Sequence, residues 1–419
     1  MALPVPNPTA QEGADKICPP AGGMRDTAFV ALIAAALLAM PFGFLPAAIP
    51  LGLAILVGWE RWGATPQPAA IWFLAFIAVE VAVSPWVPSP QRHLSSLTGA
   101  YVVWFVVWRQ VAATPLSATL VRRLSQAVAG CGILITAIGL AARLGLRGRW
   151  MAIAWPWPAG THLFDLELSD QFGPVAAGFS MNPNVVAALL VLIWPITLTL
   201  GLDAKGWRRW TWFGATLAQW AVLFLTASRG AVLAWCAVAA IWAWRDSRLR
   251  RPLLAMTGAL AVVVAVSLPL WLPAAYKVPS ILDRHLSSNT VRFSLLHSGL
   301  EMIQDRPLTG FGVDGFTDGY PRYRYPEDTY NCPHLHDWYL QVAVESGLPG
   351  AMLLFAGVGS MMRRARREGH AAAESTLGFV VYSLNDYLFH DPRVALVAWI
   401  IWGLGCRSRR DDCGKPPAT

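Results

Sequence analysis

Charged side chains are scarce in this sequence. They make up 14% of its 419 residues, against about 25% in ordinary soluble domains. Apolar residues reach 55% and the mean hydropathy is +0.44. One soluble core cannot hide that much apolar surface, so soluble enzymes and disordered proteins are excluded. Metal-type cysteine spacing is missing too. Cys18, Cys131, Cys236, Cys332, Cys406 and Cys413 form no CxxC pair, which argues against a metal or disulfide framework. There is no P-loop, and no outer segment carries a DxD pair. Gly310-Phe311-Gly312-Val313-Asp314-Gly315 has the look of a nucleotide loop but follows no strand of a βαβ unit. No internal repeat is visible, and with it goes the sequence mark of many transporters. The net charge of +8 lies in short clusters between apolar runs. That pattern sets membrane topology and implies no nucleic-acid partner.

The chain instead holds apolar runs of near-bilayer length. Twelve are expected to be membrane helices: 27–43, 45–59, 69–86, 97–113, 123–142, 185–201, 210–227, 230–244, 252–272, 338–362, 371–388 and 392–405. The first follows Lys16 and Arg25 and, with eleven runs behind it, is expected to be a retained signal-anchor. With both termini cytoplasmic, 21 of the 33 basic residues fall inside. Arg61, Arg109, Arg122, Arg123, Lys205, Arg208 and Arg209 are among them, as are Arg409, Arg410 and Lys415. Arg363-Arg364-Ala365-Arg366-Arg367 pins the end of run ten inside.

The expected fold class is thus an all-α polytopic membrane protein of about 12 transmembrane helices, with a long, partly helical outer loop between helices 9 and 10. Its parts are a cytoplasmic tail 1–26, helices 1–9 over 27–272 with an outer loop 143–184, a catalytic outer loop 273–337, helices 10–12 over 338–405, and a cytoplasmic tail 406–419. Within the long loop, Val291 to Ile303 has helical periodicity. Most of the 21 Trp residues are expected at the membrane interfaces. Only Cys332 falls outside, so no disulfide is expected.

Arg229, in Thr226-Ala227-Ser228-Arg229-Gly230, interrupts two apolar runs at the outer face. A guanidinium there suits a phosphate clamp; the bland alternative is an interfacial arginine that snorkels to headgroups. Asp337 is placed to cap run ten, which sets His336 just outside that helix on the side of Arg229. A neutral imidazole there suits a general base for a sugar hydroxyl, with His334 assisting; the alternative is a structural or solvated histidine pair. Further ligands with metal spacing are lacking nearby, so no metal site is expected. Glu80, Asn385 and Asp386 are polar groups in apolar context, expected to face the bundle interior either as structural bonds or as cavity lining.

Taken together, these pieces resemble the O-antigen ligase and polymerase superfamily of bacterial envelope glycosyltransferases. Met181-Asn182-Pro183-Asn184 opens run six, and Ser228-Arg229-Gly230 divides runs seven and eight. Arg292 precedes Asp305-Arg306-Pro307-Leu308-Thr309-Gly310-Phe311-Gly312, and His336 precedes Gly347-x-x-Gly350 at the ligase spacing. The match covers roughly residues 180–350. One position departs: Asp337 stands where the family usually has Asn, Ser or Gln, which bears on acceptor recognition more than on the helix start. Its charge is expected either to raise the pKa of His336 or to hold one tautomer.

The resemblance implies a polyprenyl-diphosphate-linked glycan donor in the inner membrane and an active site facing the periplasm. The acceptor is a lipid A core or another glycan, and neither nucleotide, metal nor cofactor takes part. His336 and Arg229 are then the catalytic candidates, with Arg292, Arg306, His334, Asp337 and Glu345 as substrate-binding candidates. An inverting ligase is the leading expectation and a polymerase the alternative. A lipid-linked glycan transporter is the alternative from another class.

Overall fold

The computed structural model describes residues 23–59, 67–146, 148–154, 162–168, 176–179, 181–275, 287–325 and 332–407. Lys16, Cys18, Arg61, Arg409, Arg410, Cys413 and Lys415 lie outside these residues, as do parts of both long loops and both tails. Every expected apolar run falls on a helix. In chain order these are α1 (Met24–Ala39), α2 (Phe44–Val57), α3 (Pro68–Val83), α4 (Pro90–Leu97), α5 (Val103–Ala113) and α6 (Ala118–Arg143). Then come α7 (Pro183–Asp203), α8 (Trp207–Leu225), α9 (Arg229–Arg245), α10 (Ser247–Ala275) and α11 (Ser287–Asp305). The last are α12 (Phe316–Gly319), α13 (Trp338–Arg367), α14 (Ala372–Tyr382) and α15 (Pro392–Cys406). Among the described residues, five helical segments are long and apolar enough to cross a membrane: Met24–Phe42, Pro68–Trp86, Ala118–Arg143, Pro183–Asp203 and Trp338–Arg367.

The most enclosed of these is α7. Its stretch Val185 to Trp194 is buried throughout, because α6, α8, α14 and α15 pack around it. Asn182 caps its first turn by accepting from the Val185 amide at 2.9 Å, and Pro183 fills a position that has no amide to satisfy. Outward-facing Ile49, Leu53, Ile71, Leu74, Leu233 and Leu254 remain exposed, as suits contact with lipid rather than water.

The all-α class holds, with one local addition: Gly148–Ala154 and His162–Leu168 form an antiparallel hairpin, β1 and β2, within residues 143–184. Many of the tryptophans pack inside the bundle. Among the described residues nine are buried, including Trp108, Trp194, Trp220, Trp338, Trp399 and Trp402. They fill space between helices through edge-on pairs such as Trp194–Trp220, with centroids 5.4 Å apart. Arg109, expected among the inner loop charges, is itself buried on α5.

The periodic stretch of the long loop forms α11, which lays Leu295 and Met302 against Leu335 and Val344. Gly310-Phe311-Gly312 has a local purpose that the sequence hides. Helix α13 breaks at Gly347, whose φ is +65°, and Pro349 offers no amide to the Glu345 carbonyl. Phe311 and Gly312 supply the missing amides, to Val344 O at 2.9 Å and Glu345 O at 2.8 Å. Leu348 N turns to Pro307 O at 2.8 Å. A Cβ on Gly310 would meet Glu345 O at 2.3 Å, so the loop must be glycine to reach the kink.

Candidate active site

Beyond α9, the N-terminus of α13 and the turn after α14 meet the face of α11. Asp337 caps α13 by accepting from the Leu340 amide at 2.8 Å. Burial raises its carboxyl pKa, and the amides of Leu340 and Tyr339 oppose the rise. His336, one residue earlier, takes a left-handed φ of +55°, an uncommon conformation for a non-glycine residue that turns its ring off the helix axis. Its Nδ1 lies 2.9 Å from Asp386 Oδ1. Asp386 also accepts from Asn184 Nδ2 at 2.7 Å and from the Tyr387 amide at 2.9 Å. So many donors stabilise an ionised carboxylate, which can only accept. His336 Nδ1 therefore carries the proton, and Nε2 is left basic. The carboxylate on the His336 ring is Asp386, while the neighbouring Asp337 caps α13.

A cavity of about 270 Å³ opens beside this ring, lined by Arg229, Arg292, Phe293, His336, Asp337 and Asn385 together with leucines 233, 296, 335, 340 and 384. Arg229 begins α9 after a tight turn in which Ala227 has φ +56°. That turn is tied down by Ser228 Oγ at 2.6 Å from the Tyr382 hydroxyl, which in turn donates to Asn184 O at 3.2 Å. Arg292, on α11, donates to Asn385 Oδ1 at 2.7 Å. Burial, and then the charge of Arg292, lower the pKa of Arg229. Two guanidinium groups thus repel across one cavity with apolar walls. Such a pair calls for an anion, and a diphosphate matches two forks of donors.

The remaining candidates sit elsewhere. The His334 ring stacks on His390 at 4.6 Å and meets His336 edge-on at 4.5 Å. It supports His336 from behind and does not line the cavity. Burial pushes its pKa down to about 3, with the charges of His336 and His390 adding to the shift. Arg306 donates to Trp86 O at 3.0 Å and lies over the Phe311 ring at 5.3 Å, away from the cavity. Glu345 is buried and accepts from Gln341 Nε2 at 2.8 Å, on a face of α13 that also holds Ser346 and, across from Gly350, the buried Glu80. In the sequence Asn184 figured only in the motif that opens run six, and Asn385 and Asp386 were weighed only as interior polar groups or cavity lining. Their signal was weak: a lone Asn-Asp pair after an apolar helix.

Donor atoms of His334, His336 and Asp386 lie within 4.8 Å of one another, so these three residues have the composition to hold a divalent cation. The 2.9 Å separation of His336 Nδ1 and Asp386 Oδ1 is that of a shared proton. Ligands on a tetrahedral zinc with bonds of about 2.0–2.1 Å stand roughly 3.3 Å apart.

Residues 214–355 match the family model described as O-antigen ligase. No curated protein matches the chain. The matched segment contains Arg229, Arg292, Arg306, His334, His336, Asp337 and Glu345, whereas Asn184 and Asp386 lie outside it. Residues 214–355 are thus similar to the O-antigen ligase domain, within a helical chain whose described residues include five segments long and apolar enough to cross a membrane.

Proposed function

We propose that this protein is an O-antigen ligase that transfers a glycan from a polyprenyl diphosphate to a hydroxyl of a lipid A core at the periplasmic face of the inner membrane. The observation that carries the reading is the His336–Asp386 pair on the rim of a cavity that also holds Arg229 and Arg292. His336 Nε2 removes the acceptor hydroxyl proton, and the oxygen attacks the anomeric carbon. A new glycosidic bond forms as the carbon–oxygen bond to the diphosphate breaks, and the electron pair leaves with the lipid diphosphate. One displacement of this kind inverts the anomeric centre. Negative charge grows on the leaving group, where Arg229 and Arg292 offer fixed donors. Asp386 holds the ring and stabilises the imidazolium that forms, as the carboxylate does in an Asp–His pair. No step draws on a metal ion. Twelve membrane helices with both termini cytoplasmic would set this cavity at the outer leaflet, where such a donor is presented.

The test is envelope glycan analysis in a deletion strain carrying wild type or His336→Ala. A ligase leaves long polymer on the polyprenyl carrier and an uncapped core when His336 is lost. Single repeats on the carrier with polymer absent would mark a polymerase, the second reading, which the same cavity and the Asp337 departure also suit. Glycan chemistry unchanged by His336→Ala would contradict both and favour a transporter or a scaffold.

A further inference from the structure

A second arginine-lined cavity, of about 340 Å³, lies between α6 and α8 and is walled by Arg122, Gln126, Trp207, Arg208, Thr211 and Trp212. It is remote from His336. Trp207 begins α8, which runs for 19 residues to Leu225, and Arg229 follows its C-terminal end. At 1.5 Å per residue this is about 28 Å, close to the hydrocarbon thickness of a bilayer. Trp207, Trp210 and Trp244 at the same end are 74%, 71% and 78% exposed, an aromatic belt of the kind that marks a membrane–water boundary. The basic residues assign that boundary to the cytoplasmic side.

Among the described residues, no carboxylate lines this cavity. Arg122 and Arg208 stand near the N-terminal ends of α6 and α8, where the helix dipole is already positive and a cation is disfavoured. Neither helix has an acidic residue in its first turn, and α8 has no side-chain cap at Gly206. Among the described residues, neither arginine has a carboxylate partner. The Arg208 guanidinium lies over the Trp207 ring at 5.9 Å, which holds it toward the belt. Two guanidiniums, two indoles, an amide and a hydroxyl make a site with anion-binding and hydrogen-bonding groups beside an apolar wall.

We infer that this cavity binds the headgroup of an anionic phospholipid of the inner leaflet. The phosphate pairs with Arg122 and Arg208, glycerol hydroxyls face Gln126 and Thr211, and the acyl chains run along the indoles. Basic pockets between membrane helices on the cytoplasmic side take such headgroups. This inference does not rest on the catalytic reading.

Native mass spectrometry of the full chain in neutral detergent, titrated with phosphatidylglycerol or phosphatidylcholine, tests it. Wild type is expected to prefer phosphatidylglycerol by at least about tenfold. Arg122→Ala/Arg208→Ala is expected to bind the two lipids alike. Arg248→Ala/Arg251→Ala, which removes equal charge from the same end, is expected to keep the preference. The inference is overturned if the first pair of substitutions leaves the preference intact, if the second abolishes it equally, or if wild type shows none. It is also overturned if millimolar inorganic phosphate displaces the lipid completely, since the ligand would then be a free anion. Size-exclusion elution unchanged from wild type establishes that each variant is folded.

Discussion

Two arginine-lined cavities stand at opposite ends of α8, and they differ in what surrounds their charges. At the His336 end, polar groups are built into a network: Arg292 donates to Asn385, His336 pairs with Asp386, and Asp386 accepts from Asn184. At the Trp207 end, Arg122 and Arg208 are exposed, and Arg208 lies over the Trp207 ring. Fixed donors stabilise charge that appears during a reaction, because they need no reorganisation at that moment. Exposed, mobile ones suit a ligand whose charge is constant. On the proposed readings, the same residue type serves chemistry in one place and anchoring in the other, and the difference lies in the neighbours.

The comparison breaks most sharply at the base. His336→Ala is expected to lower the rate of glycan transfer by about 10²–10⁴-fold, the usual worth of general-base catalysis. Asp386→Asn keeps a polar group there but favours the wrong tautomer, and is expected to fall in the same range through kcat rather than KM. Arg229→Ala is expected to cost about 10²–10³-fold in kcat, since its partner charge develops in the transition state. Normal transfer with unchanged donor affinity would remove the clamp from the account.

A smaller effect probes how the cations are held. A Cβ on Gly230 would meet Asn385 Cβ and Nδ2 at 2.6 Å. Gly230→Ala should displace Asn385 and release Arg292, raising donor KM by roughly tenfold, about one hydrogen bond to a charged group. Steady-state kinetics on the purified variant reads this directly.

Acid stability offers another handle on the same network. His334 is held well below its usual pKa, to about 3, while in the unfolded chain it titrates near 6.5. Below pH 6.5 the unfolded state binds the extra proton, so this histidine costs stability as pH falls from 6.5 toward 3. Thermal unfolding in detergent should show a Tm that drops over that window, and His334→Gln should flatten the drop. The smallest expected effect is at the other end of α8. Arg122→Ala/Arg208→Ala should leave transfer in neutral detergent within about twofold of wild type, because that cavity touches no reacting group.

Much of the helical layout was legible in the sequence because apolar runs that must satisfy their own backbone have few options. The caps were legible for a local reason: Asn182 and Asp337 act within three residues of themselves. Arg229, Arg292, His336 and Asp337 do meet, as their motifs suggested. Arg306 and Glu345 share those motifs yet serve elsewhere. Arg306 follows a helix whose next loop seals the Gly347 kink, and Glu345 is buried against Gln341 within α13. Motif membership ties residues to a fold, not to one surface. Asp386 was hidden for the converse reason, since it follows His336 by fifty residues and reaches it only through the packing of α14 against α13. The hairpin at 148–168 was hidden by strands that are short and set among Trp, Pro and Gly.

The central claim is that His336, oriented by Asp386, takes the acceptor proton. Its most direct test is single-turnover transfer in proteoliposomes with a polyprenyl-diphosphate-linked glycan, comparing wild type, His336→Ala and Asp386→Asn at matched donor occupancy. Both variants are expected to bind donor normally and to transfer at least about a hundredfold more slowly. Transfer by His336→Ala at the wild-type rate would contradict it.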